Sequence, residues 1–263
     1  MYESIVVPLD LSTPHPASVG VAEALANRHG ATIRLVTVSS PGLDHEDDEV
    51  TLAKLTEYVA GDDVRSEVIG SNDVAGALLD AAGGDGLLCL QTHARGPLTA
   101  VVLGSVAAGV LRRATRPVLL VGPSARPDPP LERMEVCIDG ADAASALVPV
   151  VIEWSRRLRL WPRLVSVWVP GALHRFANPE AAEEVVRRTA DDLAGALGID
   201  IDWEILRAPA APEAIVADAE RHLASLVVVA VRPHPRLQRA LGSVAVAVAH
   251  TSSAAVLAVP LEG

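Results

Sequence analysis

Residues Gln91–Val121 read QTHARGPLTAVVLGSVAAGVLRRATRPVLLV. The stretch divides into the end of a buried strand, a polar loop containing Gly96, a helix opened by Gly104 and Ser105, and a second apolar strand. A helix that opens this way presents unpaired backbone N–H groups, the positive end of its dipole and a hydroxyl, which together can hold an anion. A weaker copy of the stretch occupies Val229–Val259.

The same alternation extends on both sides. Ser4–Leu9 is a continuous apolar run, hence a buried strand, with Asp10 at its C-terminal end. Pro16 suits the start of a helix over Ala17–His29, and Gly30 closes it. Further strands are predicted at Thr32–Val38, Val64–Ile69, Gly86–Leu90 and Pro117–Val121, with helices at Val50–Ala60, Val74–Ala82 and Val106–Arg113. The acidic run Asp44–Glu49 reads as a solvated loop or a helix N-terminus. Strands alternating with helices imply a doubly wound parallel α/β sheet. Ligands of such sheets sit beyond the carboxyl ends of the strands, where strand order reverses. Asp10, Val38 and residues Gln91–Gly96 lie at such ends, so topology alone makes them candidates.

Gly122–Arg133, GPSARPDPPLER, is rich in proline and charge and reads as a linker. The pattern then restarts with a strand at Met134–Ile138 and ends with a helix at Val244–His250 and a strand at Ala254–Val259. Asp10 maps to Asp139, and Gly104-Ser105 maps to Gly242-Ser243. The second offset is nine residues longer, as expected if the second copy has a longer second helix. Two five-stranded domains, 1–122 and 134–263, are expected around a linker at 123–133.

Half of the 263 residues are hydrophobic but only 3% are aromatic, so Ala, Val and Leu must fill the core. A net charge of −11 argues against nucleic-acid binding. No apolar run reaches the roughly 18 residues of a membrane span, and the acidic N-terminus MYESIVVPLD is unlike a signal peptide. Cys89 and Cys137 read as inert strand thiols rather than a disulfide or metal pair. A cytoplasmic location is therefore expected. Lys54, the sole lysine, falls in an exposed helix, which excludes lysine-based phosphate loops and Schiff bases. His15, His29 and His45 show no metal-ligand spacing, so no metal site is expected from them.

The VVPLD opening, the THARGPLTAVVLGSVAAGVLRRATRPVLLV stretch and the repetition of both resemble the universal stress protein family, as a tandem of two domains. The resemblance implies a Rossmann-like, adenine nucleotide alpha hydrolase-like fold. Nucleotide-binding members carry G-x2-G-x9-G-[ST] across the loop between the fourth strand and fourth helix. Here the nine-residue spacer is Arg95–Leu103, the second glycine position is Ala94 and the first is Gln91. The spacer and the Gly104-Ser105 pair survive, while two of three glycines do not. In the second copy these positions fall on Arg232 and Val229, and two prolines stiffen the loop and remove N–H donors.

The resemblance places Asp10 at the adenosine end of ATP and the Val38 backbone at adenine. The loop residues Gln91, His93, Ala94, Arg95 and Gly96, with Gly104, Ser105 and Val106, would face the phosphates, Arg95 being the preferred phosphate partner and Mg²⁺ accompanying ATP. The residues themselves allow plainer roles: Asp10 and Asp139 as capping or turn aspartates, Ser105 as a helix cap, and Arg232, Arg236 and Arg239 as a solvated basic loop. No base and acid accompany Ser105 as a nucleophile would require, so no catalytic residue is assigned. The expected function is a stress-response protein that binds an adenine nucleotide in the first domain and acts through conformation or partner binding. The alternatives are a nucleotide-independent scaffold and a slow ATPase. The resemblance further implies antiparallel pairing of Pro117–Val121 with Ala254–Val259, an intramolecular pseudo-dimer that could associate into a homodimer. The arginine-rich, lysine-poor composition hints at a GC-rich bacterial source.

Overall fold

The computed structural model describes residues 2–11, 16–42, 46–60, 63–92, 104–172, 175–232 and 243–261. The first half runs β1 (Ser4–Pro8), α1 (Ala17–His29), β2 (Thr32–Ser39), α2 (Glu46–Thr56), β3 (Val64–Gly70), α3 (Val74–Ala82), β4 (Gly86–Gln91), α4 (Ser105–Arg113) and β5 (Val118–Val121). The second runs β6 (Arg133–Cys137), α5 (Ala141–Leu158), β7 (Trp161–Trp168), α6 (Pro179–Leu197), β8 (Asp202–Arg207), α7 (Ala211–Arg221), β9 (Leu226–Val231), α8 (Ser243–Thr251) and β10 (Ala255–Pro260). The acidic run resolves as a helix start: Glu46, Asp47, Asp48 and Glu49 form the first turn of α2, where the helix dipole favours negative charge. The strand at Met134–Ile138 and the helix at Val50–Ala60 are accordingly shifted from their expected bounds, while Gly30 and Gly198 close α1 and α6 in the left-handed conformation.

All ten strands form one sheet in the order β3-β2-β1-β4-β5-β10-β9-β6-β7-β8. Each half is parallel, and the halves meet through the antiparallel pair β5–β10. Leu119 faces Leu257, with Val118 opposite Ala258 and Leu120 opposite Val256. Because Val118-Leu119-Leu120 and Val256-Leu257-Ala258 are repeat equivalents, this register places a local two-fold axis at the Leu119–Leu257 pair. Both strands gain a partner on what would otherwise be an open edge.

Strand register confirms the repeat. Arg34 lies beside Arg65 and its counterpart Arg163 beside Asp202, so the second copy has eight extra residues between its second and third strands. That is where α6 exceeds α2.

Alternate residues of each strand feed two apolar layers, as parallel strands buried on both faces require. One layer lies under α1, α2, α5 and α6 and the other under α3, α4, α7 and α8. Trp154 of α5, the largest fully buried side chain, meets Tyr2 edge-on at 6.2 Å and so ties the halves together. The proline-rich connection also packs down: Ala125 and Leu131 are buried, and Arg126 N–H donates to the Ser253 carbonyl. Gly122 has no room for a side chain, because a Cβ would collide with the Ala249 carbonyl of α8. Cys89 and Cys137 are free thiols in β4 and β6, and burial pushes both upward in pKa.

Candidate functional site

In the first half the strand order reverses between β1 and β4. A cavity of about 710 Å³ opens there, at the carboxyl ends of β1, β2 and β4 and the N-terminus of α4. Six of the ten residues singled out from the sequence line it: Asp10, Val38, Gln91, Gly104, Ser105 and Val106. His93, Ala94, Arg95 and Gly96 lie outside the described residues.

Each wall has a local cause. The Leu9 N–H donates to the Val36 carbonyl, which carries β1 one residue past its ladder and leaves Asp10, exposed, at the cavity mouth. Leu9, Val36, Val38, Val74, Leu78 and Leu90 make an apolar wall. Polar groups that the sequence reading did not single out complete the lining. The Thr37 hydroxyl donates to the Leu9 carbonyl (3.3 Å), Thr92 to the Val121 carbonyl (3.3 Å), and Ser39 to Asp48 (2.6 Å). A polar residue at the end of an otherwise apolar strand was the available signal for all three.

Gln91 is held aside. Its Oε1 accepts the Ser18 backbone N–H (2.9 Å) and its Nε2 donates to the Gly122 carbonyl (3.4 Å). It therefore bridges the first turn of α1 to the end of β5.

The capping readings need correction. The residue that caps α4 is Gly104, not Ser105, and among the described residues no side chain caps this helix. Pro16, not Asp10, caps α1, and Gly140, not Asp139, caps α5. Gly104 has φ −55°, open to any residue, and a Cβ there would meet nothing within 4 Å. Neither its backbone conformation nor packing by the described residues explains its lack of a side chain. Among the described lining residues the charged groups are the carboxylates Asp10 and Asp48, with no cation.

The second half differs at the equivalent place. Val118 and Val256 are repeat equivalents, and they face Leu88 and Val227. Gln91 therefore matches Ala230 rather than Val229, and Arg232 matches His93 rather than Ala94. The second loop is one residue shorter. Arg232 is not a solvated loop cation: its side chain is one-fifth exposed, and it donates to Asp139 at 2.7 Å and to Asp142 at 2.9 Å. Arg175 approaches Asp139 at 3.9 Å. Burial pushes the Asp142 carboxyl up, but the hydrogen bond from Arg232, helped by the Ala143 N–H, holds it below its usual value. The counterpart of Asp10 is thus engaged by an arginine of its own chain. Arg236 and Arg239 lie outside the described residues.

The sequence model of the universal stress protein family matches residues 1–122. That half of the chain belongs to the universal stress protein family. Solved structures share the fold over both halves. A universal stress protein from Archaeoglobus fulgidus DSM 4304 is 18% identical with a TM-score of 0.70, covering 98% of this chain and 96% of its own. A functionally unknown protein from Pseudomonas aeruginosa PAO1 is 19% identical with a TM-score of 0.67, covering 99% and 93%. None of the curated proteins compared with the chain matches it. Among the described residues no helix is long and apolar enough to cross a membrane.

Proposed function

We propose that the universal stress protein domain in residues 1–122 binds an adenine nucleotide, ATP with Mg²⁺, and that the protein is a cytoplasmic stress-response protein acting through conformation or partner binding. The observation that carries this reading is Gly104. It opens a helix without a side-chain cap among the described residues onto a cavity with an apolar wall, and nothing among those residues requires a glycine there. A bare helix N-terminus lets N–H groups approach phosphate oxygens. The apolar wall suits the adenine ring, and Asp10 at the mouth suits a ribose hydroxyl. The cavity lies within the usual range of small-molecule sites. The residues present therefore fit the group. Asp10 and Asp48 disfavour bare phosphates, so Mg²⁺ and Arg95 would supply the offsetting charge. On this reading the second half, with Arg232 seated on Asp139, takes no nucleotide, and the paired halves serve as a built-in pseudo-dimer.

Titration of the purified full chain with Mg-ATP, followed by calorimetry, tests this. Wild type should bind one nucleotide. Gly104→Val should bind at least about tenfold more weakly, since a side chain would fill the phosphate approach, with its melting temperature unchanged. Absence of binding in wild type, or equal binding by Gly104→Val, would refute the reading. Gln91 favours a second reading, a nucleotide-independent scaffold, because its side chain takes an α1 N–H for itself. In that case Gln91→Gly with Ala94→Gly would create affinity that wild type lacks.

A further inference from the structure

At the opposite end of the second half, the N-terminal ends of β6, β7 and β8 surround a separate cavity of about 650 Å³. Glu135, the central residue of β6, lines it together with Arg163 and His222. Its neighbours in the sheet are Arg163 and Val227. In the first half the matching residue is Val6, fully buried in the apolar layer. The fold therefore does not need a carboxylate at this point of the strand. Glu135 is nevertheless 1% exposed and accepts from no donor among the described residues, and burial, with the Asp218 carboxylate beside it, pushes its carboxyl up to about 9. A buried, unpartnered carboxyl is costly unless something compensates for it.

Two other potential ligands converge on it. Asp218 of α7 is 1% exposed, and His222 follows four residues later at the end of the same helix. One donor atom from each of Glu135, Asp218 and His222 lies within 4.8 Å of the others. Donors around one zinc ion stand about 3.4 Å apart at metal–ligand distances near 2.1 Å, so small side-chain rotations close the set.

Charge points the same way. Arg163 binds Asp202, Glu204 and Asp218, and Arg221 binds Asp218. In that ion-paired group three acids face two arginines, and Glu135, against the Asp218 carboxylate, adds a fourth carboxyl. The first half keeps the shared part of this arrangement, Arg34 with Glu67, but Arg34 donates there to the Ala81 carbonyl (2.6 Å). The additions specific to the second half are the two buried carboxylates and the histidine.

We propose that Glu135, Asp218 and His222 form a binding site for a divalent cation of the zinc class. Two carboxylate oxygens and one imidazole nitrogen suit such an ion better than Mg²⁺ or Ca²⁺, which take all-oxygen shells. Binding displaces the Glu135 proton, after which the dication offsets two excess negative charges, and the cavity leaves a coordination position for water or a ligand.

The test uses the full chain freed of metal by chelator and titrated with Zn²⁺, with Mg²⁺ for comparison. Wild type should take up one Zn²⁺ that raises its melting temperature, while Mg²⁺ should not. Glu135→Val, which installs the first-half residue, and His222→Ala should each weaken Zn²⁺ at least about tenfold. Co²⁺ in place of Zn²⁺ gives visible absorption bands that report its ligands. Loss of these bands in His222→Ala supports the site even if Glu135→Val does not fold. No uptake by wild type, or unchanged affinity and spectrum in His222→Ala, would overturn the proposal.

Discussion

Arg232 ties the end of β9 to Asp139 and Asp142, and its removal is the most direct test of how the two halves differ. The perturbation is Arg232→Ala. At 2.7 Å two unit charges attract by about 1.5 kcal/mol even at the dielectric of bulk water, and at 2.9 Å by slightly less. The two contacts together give about 3 kcal/mol of gross attraction. Ordering the arginine side chain costs up to about 2 kcal/mol of rotamer entropy. Its removal also leaves Asp139 and Asp142, both more than half exposed, repelling each other through water. The expected net loss is about 1–2 kcal/mol. Equilibrium urea unfolding should show it as a midpoint lowered by about half a molar, for a slope near 3 kcal/mol per molar. Added salt should shrink the effect only in part, because Arg232 is one-fifth exposed and close contacts are screened little. Replacing Asp139 and Asp142 by asparagine in the Arg232→Ala background should recover only the part of the loss that comes from their mutual repulsion. A midpoint within about 0.2 M of wild type would place Arg232 among ordinary surface residues and refute the argument.

Other outcomes follow from single contacts. Asp73 accepts from Arg113 at 2.7 and 2.8 Å and from the Gly76 N–H, which holds its carboxyl down to about 2. A depressed folded-state pKa means that its contribution is full above the unfolded value of 3.8 and is lost as pH falls through about 2. Arg113→Ala should raise the Asp73 pKa toward 3.8, read by carboxyl-carbon NMR titration, and an unmoved titration would show that the pair is not formed. Trp154→Ala should cost about 3–5 kcal/mol in chemical unfolding, since the ring is fully buried and stacks edge-on with Tyr2 of the other half. A loss below about 1 kcal/mol would mean that the contact between the halves repacks freely.

The order of the elements, the two-copy organisation and the place of the cleft follow from the sequence, because apolar runs, Gly and Pro punctuation and the repeat are local signals. The Gly104-Ser105 helix start was legible for the same reason, as were Asp10 and Val38 at strand ends. What the tertiary structure decided depends on partners distant in sequence. In the sequence Gln91 marked only a lost motif glycine, and the fold alone shows Ser18, 73 residues away, and Gly122 holding its side chain. Arg232 looked like a solvated loop cation until strand register set it against Asp139, 93 residues earlier. Glu135 gave no signal at all: within the run MEVCI it alternates like an ordinary half-exposed strand residue. Only the sheet, with a strand on either side and α7 over its face, makes it a buried carboxylate beside Asp218 and His222. A residue's type and its neighbours in the chain set its local conformation. Its electrostatic surroundings are set by where the fold brings the other charges.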